Sequence, residues 1–135
     1  MKCVLSLFLF IITWAVGLGQ SETFDLATYT PPNAWKKSTS NSNVVSYSIT
    51  NNQKGTYGQI GIYKSTNSKG SLQSDFQSEW QELVVKTYKP TAKPKMTPAS
   101  SENGWDAQGG AAPFEFSGAQ SVVMLVTMSG YGRSM

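Results

Sequence analysis

Residues 121–129 read SVVMLVTMS, and the reading of this stretch decides the fold. Val122, Met124, Val126 and Met128 alternate with Val123 and Leu125, so a strand here is apolar on both sides. Such a strand belongs inside a sheet, with a covering layer on each face. Working outward, GWDAQGGAAPFEFSGAQ (104–120) precedes it. We expect an irregular, glycine-broken strand there, ending in a turn at 117–120, with Phe114 and Phe116 facing one way and Glu115 the other.

One covering layer is easy to find. Leu72, Phe76, Trp80, Leu83 and Val84 recur at i, i+4, i+8, i+11 and i+12, the apolar stripe of an amphipathic helix. Ser71 suits its N-cap, and Pro90 and Pro94 stop it, so the helix is expected over 71–87. Asp75, Glu79 and Glu82 lie at i, i+4 and i+7. They read as the wet face of that helix, although such a row can also gather on a cation.

Nearer the N-terminus, NVVSYSIT (43–50) alternates, with Val45, Tyr47 and Ile49 on one face. NNQKG (51–55) is a glycine-containing hairpin loop, and TYGQIGIYKS (56–65) returns as the partner strand. FDLAT (24–28) is a further short strand, ended by Pro31 and Pro32. KPTAKPKMTPASS (89–101) is a Pro/Lys-rich connector of low order. These elements make an α+β domain, an antiparallel β-sheet packed by one long helix. The second face of strand 121–129, with Val123 and Leu125, has no covering layer in the sequence, because the chain reaches GYGRSM directly afterwards; a missing helix, the N-terminal segments or a partner would have to cover it. The expectation is a C-terminally truncated sandwich that lacks a final helix.

The first residues stand apart. Lys2 precedes an apolar run from Val4 to Val16, and Gly17 and Gly19 suit the small-residue positions of a cleavage site. Residues 1–19 are expected to be a secretory signal peptide, with a single domain over 20–135. The run is shorter than the roughly 20 residues of a spanning helix, so no stable membrane anchor is expected after cleavage. The reading places the protein in the periplasm or outside the cell. The single cysteine, Cys3, lies inside the signal, so the mature chain has no disulfide and no thiolate metal site.

Histidine is absent, which excludes Ser-His-Asp and Cys-His catalysis and imidazole metal ligands. The net charge of +3 is carried by scattered lysines, with no basic stripe for nucleic acid. No cofactor and no metal are expected. Trp35, in YTPPNAWKK (29–37), either plugs one end of the core or stacks on a ligand. Tyr57, Gln59 and Tyr63 share one strand face and make either a polar-aromatic platform or a surface for a covering helix. Trp105 and Asp106 put an aromatic beside an acid in a loop, a pairing that suits a sugar, or else simply anchor that loop. Two functions follow. One is an exported, non-catalytic binding or adaptor module with a protein or a glycan as partner, or with a partner docked on an uncovered sheet face. The other is a carboxylate-based glycan hydrolase using Glu115 and Asp106.

The order of parts, with Tyr29, Pro31 and Trp35 leading into two hairpin strands, then SLQSDFQSEWQELV, a Pro-rich connector and paired strands, resembles the PsbP-like α/β/α sandwich. It is also similar to small exported proteins of Bacteroidetes-type bacteria. The resemblance implies an antiparallel sheet and a binding or adaptor role rather than catalysis. It implies no functional residue here, and without histidine a histidine-containing metal site does not carry over.

Overall fold

A computed structural model describes residues 20–135. The expected signal peptide, 1–19, lies outside the described residues. The chain is α+β: mostly antiparallel strands around one helix.

The helix, α1, is continuous. It runs as α-helix over Leu72–Glu79, widens to π-helix over Trp80–Val85, and closes with Lys86–Tyr88. Ser71 caps it as expected, its hydroxyl accepting from the Ser74 N–H at 3.1 Å. The end is set by Lys89 in a left-handed conformation, φ 49°. The apolar residues at 76, 80 and 84 repeat every four positions, slightly longer than the α-helical turn of about 3.6 residues. The wider i→i+5 turn corrects that drift and returns Val84 to the sheet side. Phe76, Trp80 and Val84 are all buried, with Phe76 and Trp80 stacked at 5.6 Å.

The helix packs on a long hairpin of two twelve-residue strands, which we call β9 (Trp105–Phe116) and β10 (Ala119–Gly130) after the shorter strands that precede them. Those are β1 (Glu22–Phe24), β2 (Ala27–Tyr29), β3 (Lys36–Ser40), β4 (Val44–Asn51), β5 (Thr56–Tyr63), β6 (Thr66–Asn67), β7 (Lys95–Met96) and β8 (Ser100–Glu102); β11 (Arg133–Ser134) ends the chain. The larger sheet has the order β6-β11-β10-β9-β7, with β8 also on β9. A second sheet is β3-β4-β5, and β1-β2 is a separate hairpin. Three tight turns, Asn103–Gly104, Ser117–Gly118 and Tyr131–Gly132, each have two consecutive positive φ values. That is the backbone that joins antiparallel strands without splaying them, and glycine fills the second position each time.

Several expectations need correction. Residues 104–120 do not form a broken strand: β9 is continuous, and its glycines serve packing. A Cβ on Gly110 would lie 2.6 Å from Phe76 Cζ, so glycine there lets the helix sit directly on the sheet. FDLAT is not one strand: Phe24 ends β1, the chain reverses at Asp25 (φ 52°), and Ala27 and Thr28 begin β2, with Phe24 paired to Ala27. The Asp25 carboxylate accepts from the Ser65 N–H at 2.8 Å. The polar stretch after Trp35 contains β3, and the low-order connector contains β7 and β8, both paired with β9.

On β10 the covered and the uncovered faces are exchanged relative to the expectation. Val123 and Leu125 face the helix, and the core is Phe76, Trp80, Val84, Ala112 and Val123, with Val85, Tyr88, Phe114 and Leu125 packed around it. The opposite side is open. Val122 is 71%, Met124 66% and Val126 54% exposed. Among the described residues, no second layer covers this face.

Asp75 also departs from its expected wet position. It is buried, 1% exposed. It accepts from the Ser68 hydroxyl (2.7 Å), the Lys69 N–H (2.5 Å) and the Ser129 hydroxyl (2.6 Å). Glu79, one turn on, accepts from Thr127 (2.5 Å) and from Ser134. The two carboxylates tie the helix to β10 and β11. Only Glu82 of the three keeps the expected exposed role, paired with Lys86 at 2.6 Å.

Candidate functional site

Chain direction along the long hairpin decides which side chains share the open face. Directly paired residues lie on the same side of an antiparallel pair. The register Val122↔Pro113, Met124↔Ala111, Val126↔Gly109 and Met128↔Ala107 therefore lays these residues in one strip, ending beside Trp105. At that end is a groove of ≈ 360 Å³ lined by Ser100, Glu102, Asn103, Trp105, Ala107 and Met128. Tyr131 closes its rim. Its ring meets Trp105 edge-on at 5.7 Å, and its hydroxyl donates to the Asn103 carbonyl at 2.8 Å. The strip is apolar along β10 and becomes aromatic and polar only at the groove.

The same hairpin separates residues that the sequence placed together. Asp106 is the neighbour of Trp105 but projects to the other side of β9, where it accepts from the Ser101 hydroxyl. The acid that lines the groove with Trp105 is Glu102. Asp106 and Glu115 are nine residues apart on one extended strand, about 30 Å, and they point to opposite faces. Paired carboxylates of glycoside hydrolysis stand within about 5–10 Å of each other. The geometry does not bring Asp106 and Glu115 into such a pair.

Trp35 lies against β5. Its ring would be 3.0 Å from a Cβ at Gly58, which also faces Ile49. The indole is half-buried on this sheet, apart from the core that the helix covers. Beside it, Glu22, Tyr29, Lys37 and Tyr47 form a polar cluster. Glu22 accepts from Lys37 at 2.6 Å and from Tyr47 at 2.9 Å, and the two tyrosine hydroxyls are 3.1 Å apart. The Lys37 ammonium, with the Tyr47 hydroxyl next, holds the Glu22 carboxyl below its usual range. Burial, then the bonds to Tyr29 and Glu22, pushes the Tyr47 hydroxyl well up. Every polar group in the cluster has a partner, so it reads as a clasp between the β1-β2 hairpin and β4.

Tyr57, Gln59 and Tyr63 are exposed on the other face of β5, with Tyr57 donating to Gln59 at 3.2 Å. Burial, with Tyr88 nearby, raises the Tyr63 hydroxyl. The six candidate residues therefore fall on four separate surfaces: Trp35 on one face of β5, Tyr57, Gln59 and Tyr63 on the other, Trp105 on the outer face of β9, and Asp106 behind it. A second groove of ≈ 620 Å³ lies between the helix end and the connector, lined by Trp80, Gln81, Val85 and residues 89–94, and contains none of them. Among the described residues, no three acidic, histidine or cysteine side chains gather as a metal site, and no helix is long and apolar enough to cross a membrane.

The sequence reading allowed a partner on an uncovered sheet face; what it missed is which side chains stand there, Val122, Met124 and Val126 in place of Val123 and Leu125. Compared with protein families, with curated proteins and with solved structures, the chain has no match.

Proposed function

We propose that this chain is an exported, non-catalytic binding module of PsbP-like build, which docks a polypeptide partner on the open side of its long hairpin. The observation that carries the reading is the exposure of Val122, Met124 and Val126 in one row on a strand whose other face is core. Contiguous apolar side chains held on a rigid sheet mark interaction surfaces in soluble proteins. The hydrogen-bonded clasp and the helix-to-sheet carboxylates belong to the scaffold, which leaves this strip as the surface with unspent binding capacity.

The test is selection of extended peptides from a displayed random library against the intact chain, followed by hydrogen exchange with the selected peptides. Peptides that slow exchange at 120–126, and whose binding is lost in Met124→Lys but kept in Tyr57→Ala, support the reading. Peptides that leave these amides unaffected overturn it. The groove beside Trp105 carries a second reading, since an indole next to Asn103 and Glu102 suits a sugar ring. A glycan-array signal abolished by Trp105→Ala, without peptide binding, would move the function there.

A further inference from the structure

The groove of ≈ 620 Å³ at the end of the helix is built by anchors on both sides of it. Trp80, Gln81 and Val85 give its helix wall, and residues 89–94 give the facing wall. Lys89, with φ 49°, turns the chain off the helix. Thr91 then fixes the connector to β9, its N–H and its hydroxyl both donating to the Pro113 carbonyl, at 2.9 and 3.2 Å. β7 fixes it again, with Lys95 opposite Ala111 and Met96 opposite Gly110. Between these anchors the segment 92–94 stands off the helix flank, and the rings of Pro90 and Pro94 restrict its backbone. The volume lies within the range of about 300–1,000 Å³ typical of pre-formed small-molecule sites.

Its lining is largely apolar. Trp80 is 7% exposed and stacks on Phe76 at 5.6 Å, so the part of its ring that reaches the groove is held rigidly by the core. Val85, Pro90, Ala92 and Pro94 extend that surface. An apolar body laid there displaces water from carbon on both walls.

Its charges are of one sign. Lys89 and Lys93 line the groove, and no acid does. Residues 83–101 carry Lys86, Lys89, Lys93 and Lys95 and no aspartate or glutamate. Lys86 is committed to Glu82 at 2.6 Å. Among the described residues the other ion pair is Lys37 with Glu22, so both groove lysines are free to meet an external anion. Lys89 sits at the helix C-terminus, where a cation is favoured by the dipole alone. Lys93 lies beyond the helix and answers no such structural demand.

We propose that this groove binds a small amphipathic carboxylate, its apolar body against Trp80 and Val85 and its carboxylate between Lys89 and Lys93. Both halves are required. Ion pairs with exposed lysines are weak by themselves, and a neutral apolar ligand leaves the two ammonium groups without a partner. The groove lies on the helix side of the sheet and shares no residue with the strip along β10. The inference is therefore independent of the docking reading above.

The experiment is titration of the full chain with octanoate, followed by amide and indole NMR shifts, beside acetate and octanol as probes that keep only one half of the ligand. Octanoate should shift the Trp80 indole and residues 89–93, with a Kd below about 1 mM. Acetate and octanol should bind at least about tenfold more weakly. The double variant Lys89→Gln/Lys93→Gln should raise the octanoate Kd about tenfold, the effect of two exposed ion pairs, while Lys54→Gln, in the 51–55 loop, should leave it unchanged. Both lysines are exposed, so the double variant keeps its fold, as thermal unfolding checks. Absence of shifts at 80–94, octanol binding as tightly as octanoate, or a Kd indifferent to the double variant overturns the inference. None of these outcomes bears on peptides docked at 120–126, which the earlier selection tests separately.

Discussion

Thr127, fully buried on β10, donates its hydroxyl to Glu79 on the helix at 2.5 Å, across 48 positions of sequence. With Asp75 accepting from Ser129 one turn earlier, this bond sets how the helix lies on the long hairpin. Replacing Thr127 with valine keeps the shape and removes the donor. The expected loss is about 1–3 kcal/mol, measured by urea unfolding. A double cycle with Glu79→Gln should show coupling between the two positions.

Asp75 makes stability depend on acid. Burial alone would raise its carboxyl, but hydrogen bonds from Ser129, the Lys69 N–H and Ser68 outweigh it and leave it below the usual value. A carboxyl depressed in the folded state contributes stability in full above its unfolded value, about 3.9, and loses it as pH falls through the folded one. The chain should therefore lose stability below about pH 4, and Asp75→Asn should flatten that part of the profile while lowering stability at neutral pH. Unfolding midpoints from pH 7 to strongly acid solution check both.

Gly110 is the seat of the helix. A methyl there would stand 2.6 Å from Phe76, with Met96 and Pro94 also close. Gly110→Ala should cost about 1–3 kcal/mol through overpacking, read from thermal or urea unfolding. Gly118→Ala, at a hairpin turn with φ 79° and no neighbour within 4 Å, should be destabilised only by backbone strain of about 1 kcal/mol. The two together separate packing from conformation.

Trp35 distinguishes plug from ligand platform by its effect on folding. Packed on Gly58 and Ile49, its removal in Trp35→Ala should cost about 2 kcal/mol. An indole held out for a ligand would show almost no change in the unfolding midpoint.

The sequence by itself determined the elements that arise from local periodicity. The stripe at 72, 76, 80, 83 and 84 placed the helix within a residue of its observed start and end, and alternation in 43–50 placed the β4-β5 hairpin. Both are one-dimensional patterns, because a helix or strand imposes its own spacing on the side chains it buries. Tertiary structure decided everything that depends on what lies opposite. Asp75 shares the helix with Glu82 and was indistinguishable from it until Ser68 and Ser129 supplied donors. Asp106 follows Trp105 in sequence and was separated from it by the pleat of a strand that its glycines had seemed to break. Val122, Met124 and Val126 are as apolar as Val123 and Leu125, and residue type alone carries no sign of which face meets the helix. Burial is a property of two surfaces, and a sequence writes down only one of them at a time.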